Sequence, residues 1–169
     1  VSTGPRQVGK SPLLGNAASL KNWRYITLDD PDALEQAKED PKGLLWKDRP
    51  TIIDEAQRCP GLLLTVKYLV DKTGRRRKFI LSGSSPRETL AGRAVYLHLT
   101  GFGFRELRGL APHGLFDKVI TGREVKASSV GSRADITRAV WRGCLPGVVL
   151  ASNEKIAVER LNSYIDTYI

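Results

Sequence analysis

Eight residues near the start of the chain, Gly4-Pro5-Arg6-Gln7-Val8-Gly9-Lys10-Ser11, meet every fixed position of the G-x-x-x-x-G-K-[ST] pattern. This spacing suits phosphate binding. Glycines at its ends permit a backbone curl whose N–H groups point inward at an anion. A helix starting at the lysine adds the positive end of its dipole. Lys10 then reaches the β- and γ-phosphates, and the Ser11 hydroxyl is a ligand for magnesium. Pro5, Arg6, Gln7 and Val8 form the rest of the cradle. Pro12 falls in the first helical turn, where a missing N–H costs little. The expected ligand set is a nucleoside triphosphate with magnesium.

Three further clusters suit the same chemistry. Thr51-Ile52-Ile53 runs directly into Asp54-Glu55, the Walker B form. In that role Asp54 holds magnesium through water and Glu55 polarises the attacking water as general base. Acids at a strand-to-helix turn also suit a helix N-cap, but their place downstream of a P-loop favours the catalytic role. Ser82-Gly83-Ser84-Ser85 ends the next apolar run. ATPases with an extra strand between the P-loop strand and the Walker B strand place a polar sensor there, and Ser84 is the choice for it. An ordinary Gly-Ser loop is the competing reading. Arg93, in Ala91-Gly92-Arg93, stands where ring-forming ATPases present an arginine finger to a neighbouring copy. That role implies a homo-oligomer and charge stabilisation in phosphoryl transfer. A surface arginine is the alternative.

The elements that must position these groups alternate. Residues 1–3 look like the stub of a strand. Residues 10–20 read as a helix with Leu13 and Leu14 facing inward. Residues 25–28 form a strand ended by Asp29-Asp30-Pro31, and residues 32–39 a polar helix. Residues 51–53 are an apolar, β-branched strand of the buried parallel kind. Residues 60–72 carry Leu62, Leu63, Val66, Leu69 and Val70 on one helical face. Residues 78–85 are a strand ending in small polar residues, 86–92 a short helix and 94–99 a fifth strand. This predicts an α/β fold of three layers: a P-loop NTPase parallel sheet with an added strand on the Walker B side, followed by a partial, mainly helical C-terminal region. In that region residues 135–142 and 153–169 read as helices.

Together, residues 4–14, Leu28-Asp29-Asp30-Pro31, residues 52–57 with Pro60, residues 81–85 and residues 90–93 resemble a family of predicted prokaryotic AAA+-type ATPases. In that family the ATPase domain is followed by a C-terminal domain of unknown function. The resemblance covers residues 1 to about 110, and Gly143-Cys144-Leu145-Pro146-Gly147 looks like the segment opening the second domain. It implies ATP rather than GTP, an ATPase domain over residues 1–110 and the start of a truncated second domain over 111–169. The family usually has threonine where Pro12 stands.

Composition bounds the rest. Lys and Arg number 27 against 18 acids, a net charge of +9, which favours polyanions. Arg75-Arg76-Arg77-Lys78 is the densest basic run, with a solvated loop as its first reading and nucleic acid as the alternative. Cys59, Cys144, His98 and His113 show no metal-ligand spacing, so no zinc site is expected. No apolar run has membrane-span length and no signal peptide opens the chain, so a cytoplasmic protein with no membrane partner is expected. There is no methionine, and a piece of a longer protein at both ends is expected. Two alternatives to an ATPase stay open: a nucleotide-gated nucleic-acid-binding module with little turnover, and an inactive truncated remnant.

Overall fold

A computed structural model describes residues 1–47, 49–74, 76–83, 90, 92–109 and 132–169. They belong to two compact units, Val1–Thr100 and Gly101–Ile169.

Among the described residues the first unit holds five strands: β1 (Ser2–Thr3), β2 (Arg24–Thr27), β3 (Thr51–Asp54), β4 (Phe79–Leu81) and β5 (Leu97–His98). Every ladder is parallel: β2 on β3, β3 on β4, and β1 on β5. A parallel bridge from Ser2 to Ser82 joins the two ladders, giving the order β5-β1-β4-β3-β2. The strand that follows Walker B therefore lies between Walker B and the P-loop strand, as the added-strand P-loop fold requires. Though two residues long, β1 is held on both sides. Leu97 N–H donates to Val1 O at 2.8 Å, Leu99 N–H to Thr3 O at 2.7 Å, and Gly83 N–H to Ser2 O at 3.3 Å. The fifth strand, expected over 94–99, is limited to Leu97–His98 because β1 offers only two residues to pair with.

All four residues of β3 are buried. Ile26, Ile53 and Leu81 are register partners across β2, β3 and β4. Side chains alternate along a strand, so this row shares one face. It joins a core with Leu62, Leu63, Val66 and Leu69 of α4 (Pro60–Lys72). Ile52 belongs to the opposite row and is only 1% exposed, so β3 is covered on both faces. That is the pattern expected of a parallel α/β sheet.

The P-loop helix α1 (Lys10–Asn16) starts after Gly9 but stops earlier than expected; Ala18–Leu20 is a separate 3₁₀ turn. Ala17, with an extended backbone, divides them, directly after the weak helix formers Gly15 and Asn16. Only Leu14 of the leucine pair faces inward; Leu13 is 51% exposed. Neighbouring helical positions are about 100° apart, so one faces the core and the other does not. Helix α2 (Pro31–Glu39) is capped by Asp30, which accepts from Asp32 N–H at 3.0 Å, with Pro31 at the first helical position. A one-turn helix, α3 (Pro41–Leu44), was not expected; Asp40 caps it by accepting from Gly43 N–H at 2.9 Å. The short helix expected over 86–92 falls mostly on 86–89 and 91, outside the described residues.

The second unit is helical among the described residues: α5 (Phe104–Leu107), α6 (Arg133–Arg142), α7 (Pro146–Val149) and α8 (Glu154–Tyr168). Its small core joins Val148, Ala151 and Ala157 to Leu145, Ile156 and Leu161. Among the described residues no helix is long and apolar enough to cross a membrane.

Candidate functional site

The P-loop is curled by three residues of positive φ: Gly4 at 142°, Gln7 at 59° and Gly9 at 92°. A methyl group on Gly4 would overlap the Leu99 carbonyl oxygen, so the close approach beside β5 needs glycine there. Gly9 is the N-cap of α1 and aims that helix's N-terminus at the loop. Val8 is 5% exposed and anchors the loop, while Pro5, Arg6, Gln7 and Pro12 are exposed. Lys10 is buried for a lysine, at 9% exposure. Its Nζ donates to the carbonyls of Gly4 at 3.0 Å and Pro5 at 2.6 Å, so the ammonium lies across its own loop.

Asp54 ends β3 and is 2% exposed. Its Oδ1 accepts from the Ser82 hydroxyl and from Glu55 N–H at 3.1 Å; its Oδ2 accepts from the Tyr25 hydroxyl. Ser11, on the first turn of α1, lies close enough to favour its ionised form. Burial alone would raise the Asp54 carboxyl, but Ser11 together with the hydrogen bonds from Ser82, Tyr25 and Glu55 N–H outweighs it and holds the group below the ordinary carboxylate value. The Tyr25 hydroxyl moves the other way. Burial, then the bond to Asp54 and its charge, push it well above an ordinary tyrosine.

Strand alternation explains this meeting of three strands. Thr27 pairs with Asp54, and Ser82 lies next in line, directly after β4. Tyr25 is two residues before Thr27 and so projects on the same face. From there its long side chain reaches diagonally to the neighbouring strand.

Glu55 is half-buried and adopts a left-handed backbone, φ 54°, as the cap of the 3₁₀ turn Ala56–Arg58. The Gln57 side-chain amide donates to Glu55 Oε2. Glu55 and Asp54 are thus adjacent in sequence but held by different partners.

The structure brings Ser11 and Asp54 together, with Glu55 next to them and Lys10 across the same loop. Ser84 lies outside the described residues. From that cluster it is Ser82, 1% exposed, that reaches Asp54. Arg93 donates from Nε to both carboxylate oxygens of Asp71, at 2.8 and 3.0 Å. In the basic run, Arg75 lies outside the described residues. Arg76 Nε donates to Thr73 O at 3.2 Å, and Arg77 donates to the carbonyls of Leu45 and Lys47 and stands over the Phe79 ring. Tyr25, Ser82 and Gln57 are the site residues that motif matching overlooks. Tyr25 and Ser82 could be found only from the register of β2, β3 and β4, and Gln57 only from the turn after Asp54.

Chemically, a carboxylate kept ionised beside a hydroxyl offers hard oxygen donors, which fit a hard divalent cation such as magnesium. The curled amides and the helix N-terminus fit phosphate. The neighbouring Glu55 is a carboxylate available for proton transfer.

Residues 1–108 match the model of a family described as AAA domain. The chain is also similar to an uncharacterized protein of Mycobacterium tuberculosis and to one of Mycobacterium bovis. Each is 33% identical to it over 152 residues, covering 83% of this chain. The chain spans 32% of the length of these curated relatives.

Proposed function

We propose that this chain, which belongs to the AAA domain family, binds ATP with magnesium and hydrolyses it to ADP and phosphate. Nucleotide binding by an ATPase-type domain follows from the family; the roles of Lys10, Ser11, Asp54 and Glu55 rest on the site's geometry, and those of Ser84 and Arg93 on their places in the sequence.

The observation that carries the reading is the closeness of Ser11 to Asp54, whose ionised carboxylate it stabilises. It sets the P-loop hydroxyl beside the Walker B carboxylate, the two groups that a shared magnesium ion needs. In our reading the amides of residues 4–9 cradle the phosphates. Lys10 exchanges the Gly4 and Pro5 carbonyls for phosphate oxygens. Ser11 and Asp54 hold magnesium, Asp54 through water. Magnesium, when bound, neutralises charge on the phosphate oxygens. Glu55 takes the proton of the attacking water, and Ser84 serves as polar sensor. Arg93 acts toward the nucleotide of a neighbouring copy, which makes the working form a homo-oligomer. The ATPase domain in this reading is residues 1–110, residues 111–169 open a second domain, and the setting is cytoplasmic. The nucleic-acid alternative rests on the +9 charge and the Arg75 to Lys78 run.

Phosphate release and binding of a fluorescent ATP analogue test the reading. Wild type should bind and turn over. Lys10→Ala should lose binding. Glu55→Gln should bind but release phosphate at least ~10²-fold more slowly. Activity surviving in Glu55→Gln would remove the base assignment, and absence of binding in wild type would remove the reading altogether.

A further inference from the structure

We propose that Gln57 is a positioning residue for Glu55. Its side-chain amide holds one carboxylate oxygen so that the other faces the attacking water, and Gly83 makes the room for it. This inference rests on Glu55 being the general base.

The turn after β3 creates the need. At φ 54° Glu55 has left the extended backbone of β3, so the pleat of the sheet no longer directs its side chain. A base needs an orienting partner when its own backbone supplies no direction. The 3₁₀ turn supplies one. Ala56 N–H is fixed on Ser82 O at 2.9 Å, and Arg58 N–H closes back on Glu55 O at 3.0 Å. The residue between them, Gln57, donates from Nε2 to Glu55 Oε2. Glu55 Oε1 is left for other partners.

The other end of the amide points to the same conclusion. Gln57 Oε1 is buried and accepts no hydrogen bond among the described residues. A buried, unpaired acceptor is unfavourable, and an apolar side chain would fill that space at lower cost. The reverse amide orientation would set oxygen against the Glu55 carboxylate and donate nothing to it, so the donor faces Glu55. Gly83 lies against this acceptor. A methyl on it would overlap Gln57 Oε1, and its φ of 149° is one that other residues rarely adopt. A costly amide, admitted by a glycine on the adjoining segment, is best accounted for by what its donor end does.

Two readouts test this on the full chain. In steady-state ATP hydrolysis, Gln57→Ala should lower kcat about tenfold and leave KM within about twofold, the signature of an interaction that acts in the transition state. Gly83→Ala should give a similar kcat loss by displacing the amide. Combined with Gln57→Ala it should add little further kcat loss, because both changes remove one contact. Its backbone strain should still lower the melting temperature in both backgrounds. Independently of turnover, the Gln57 side-chain NH₂ resonance of ¹⁵N-labelled protein, identified by its loss in Gln57→Ala, should shift in Glu55→Ala. A kcat unchanged or raised by Gln57→Ala, or a Gln57 resonance indifferent to Glu55→Ala, would overturn the inference alone. A wild type that binds no ATP or releases no phosphate would overturn the ATPase reading and this one with it.

Discussion

Asp54 accepts hydrogen bonds on both of its carboxylate oxygens, and Tyr25 is the donor on Oδ2. A hydrogen bond to a charged group is worth ~1.5–3 kcal/mol, and ~1.4 kcal/mol is a factor of ten in affinity. Tyr25→Phe should therefore raise the magnesium concentration needed for half-maximal binding of an ATP analogue about tenfold. Binding in the presence of a chelator should change less, since Asp54 acts on the nucleotide through magnesium. The hydroxyl also carries a pH signature. Its folded-state value is raised above the ordinary 10.0, so its contribution to stability is complete below that value and is lost as pH rises through the raised one. A spectrophotometric titration of the five tyrosines should lose its latest-titrating component in Tyr25→Phe; retention of that component would show that Tyr25 ionises like the rest. At this scale the sequence exposes contacts made by adjacency and hides those made by register. The P-loop and Asp54-Glu55 are contiguous and readable at sight. Tyr25 and Ser82 sit 29 and 28 residues from Asp54, and only the pairing of three strands brings them to it.

Strand β3 positions Asp54 and Glu55 because both of its faces are buried. Ile53 is fully buried and sits in the register row with Ile26 and Leu81, immediately before Asp54. Ile53→Ala should destabilise the first unit by about 2–5 kcal/mol in denaturant unfolding, because it removes transfer energy and leaves a cavity. Ile53→Val should cost only about 0.5–1.5 kcal/mol. Helix α6 depends instead on its cap. Ser132 accepts from Asp135 N–H at 3.2 Å, while Asp135 accepts from Ser132 N–H at 2.9 Å. Ser132→Ala should cost about 1 kcal/mol of helix stability. The Ser132 N–H, its hydroxyl and Arg108 hold the Asp135 carboxyl below the ordinary 3.8. Its contribution is therefore present above that value and lost as pH falls through the depressed one. The amide resonances of α6 should lose helical character below about pH 4, and Asp135→Asn should be weakened already at neutral pH. The elements with strong local signals were legible: Pro31 and Pro60 mark the starts of α2 and α4, and the β-branched run marks β3. The extent of β5 was not, because it is set by the two residues of β1 far away in the chain.

At the scale of the whole molecule the question is whether one copy completes the site of another. Arg93 is joined in its own chain to Asp71 near the end of α4, and both side chains are partly exposed. Exposed ion pairs contribute only ~0–1 kcal/mol. Giving up that ion pair for a phosphoryl group therefore forfeits little, and a finger used in phosphoryl transfer contributes ~10³ to 10⁵ in rate. Arg93→Ala should consequently lower kcat about 10³-fold or more. That loss alone does not distinguish action within a chain from action between chains, but mixing does. Arg93→Ala copies keep Glu55, and Glu55→Gln copies keep Arg93, and each variant should be inactive on its own. If Arg93 serves the neighbouring nucleotide, an equimolar mixture creates interfaces where an intact Glu55 meets an intact Arg93. Random assembly of a head-to-tail ring makes about a quarter of the interfaces of this kind. Phosphate release should then rise to about a quarter of the wild-type rate and follow the product of the two fractions as the ratio is varied. A mixture as inactive as its parts, under conditions where the copies exchange, would confine Arg93 to its own chain and leave its ion pair with Asp71 as its role.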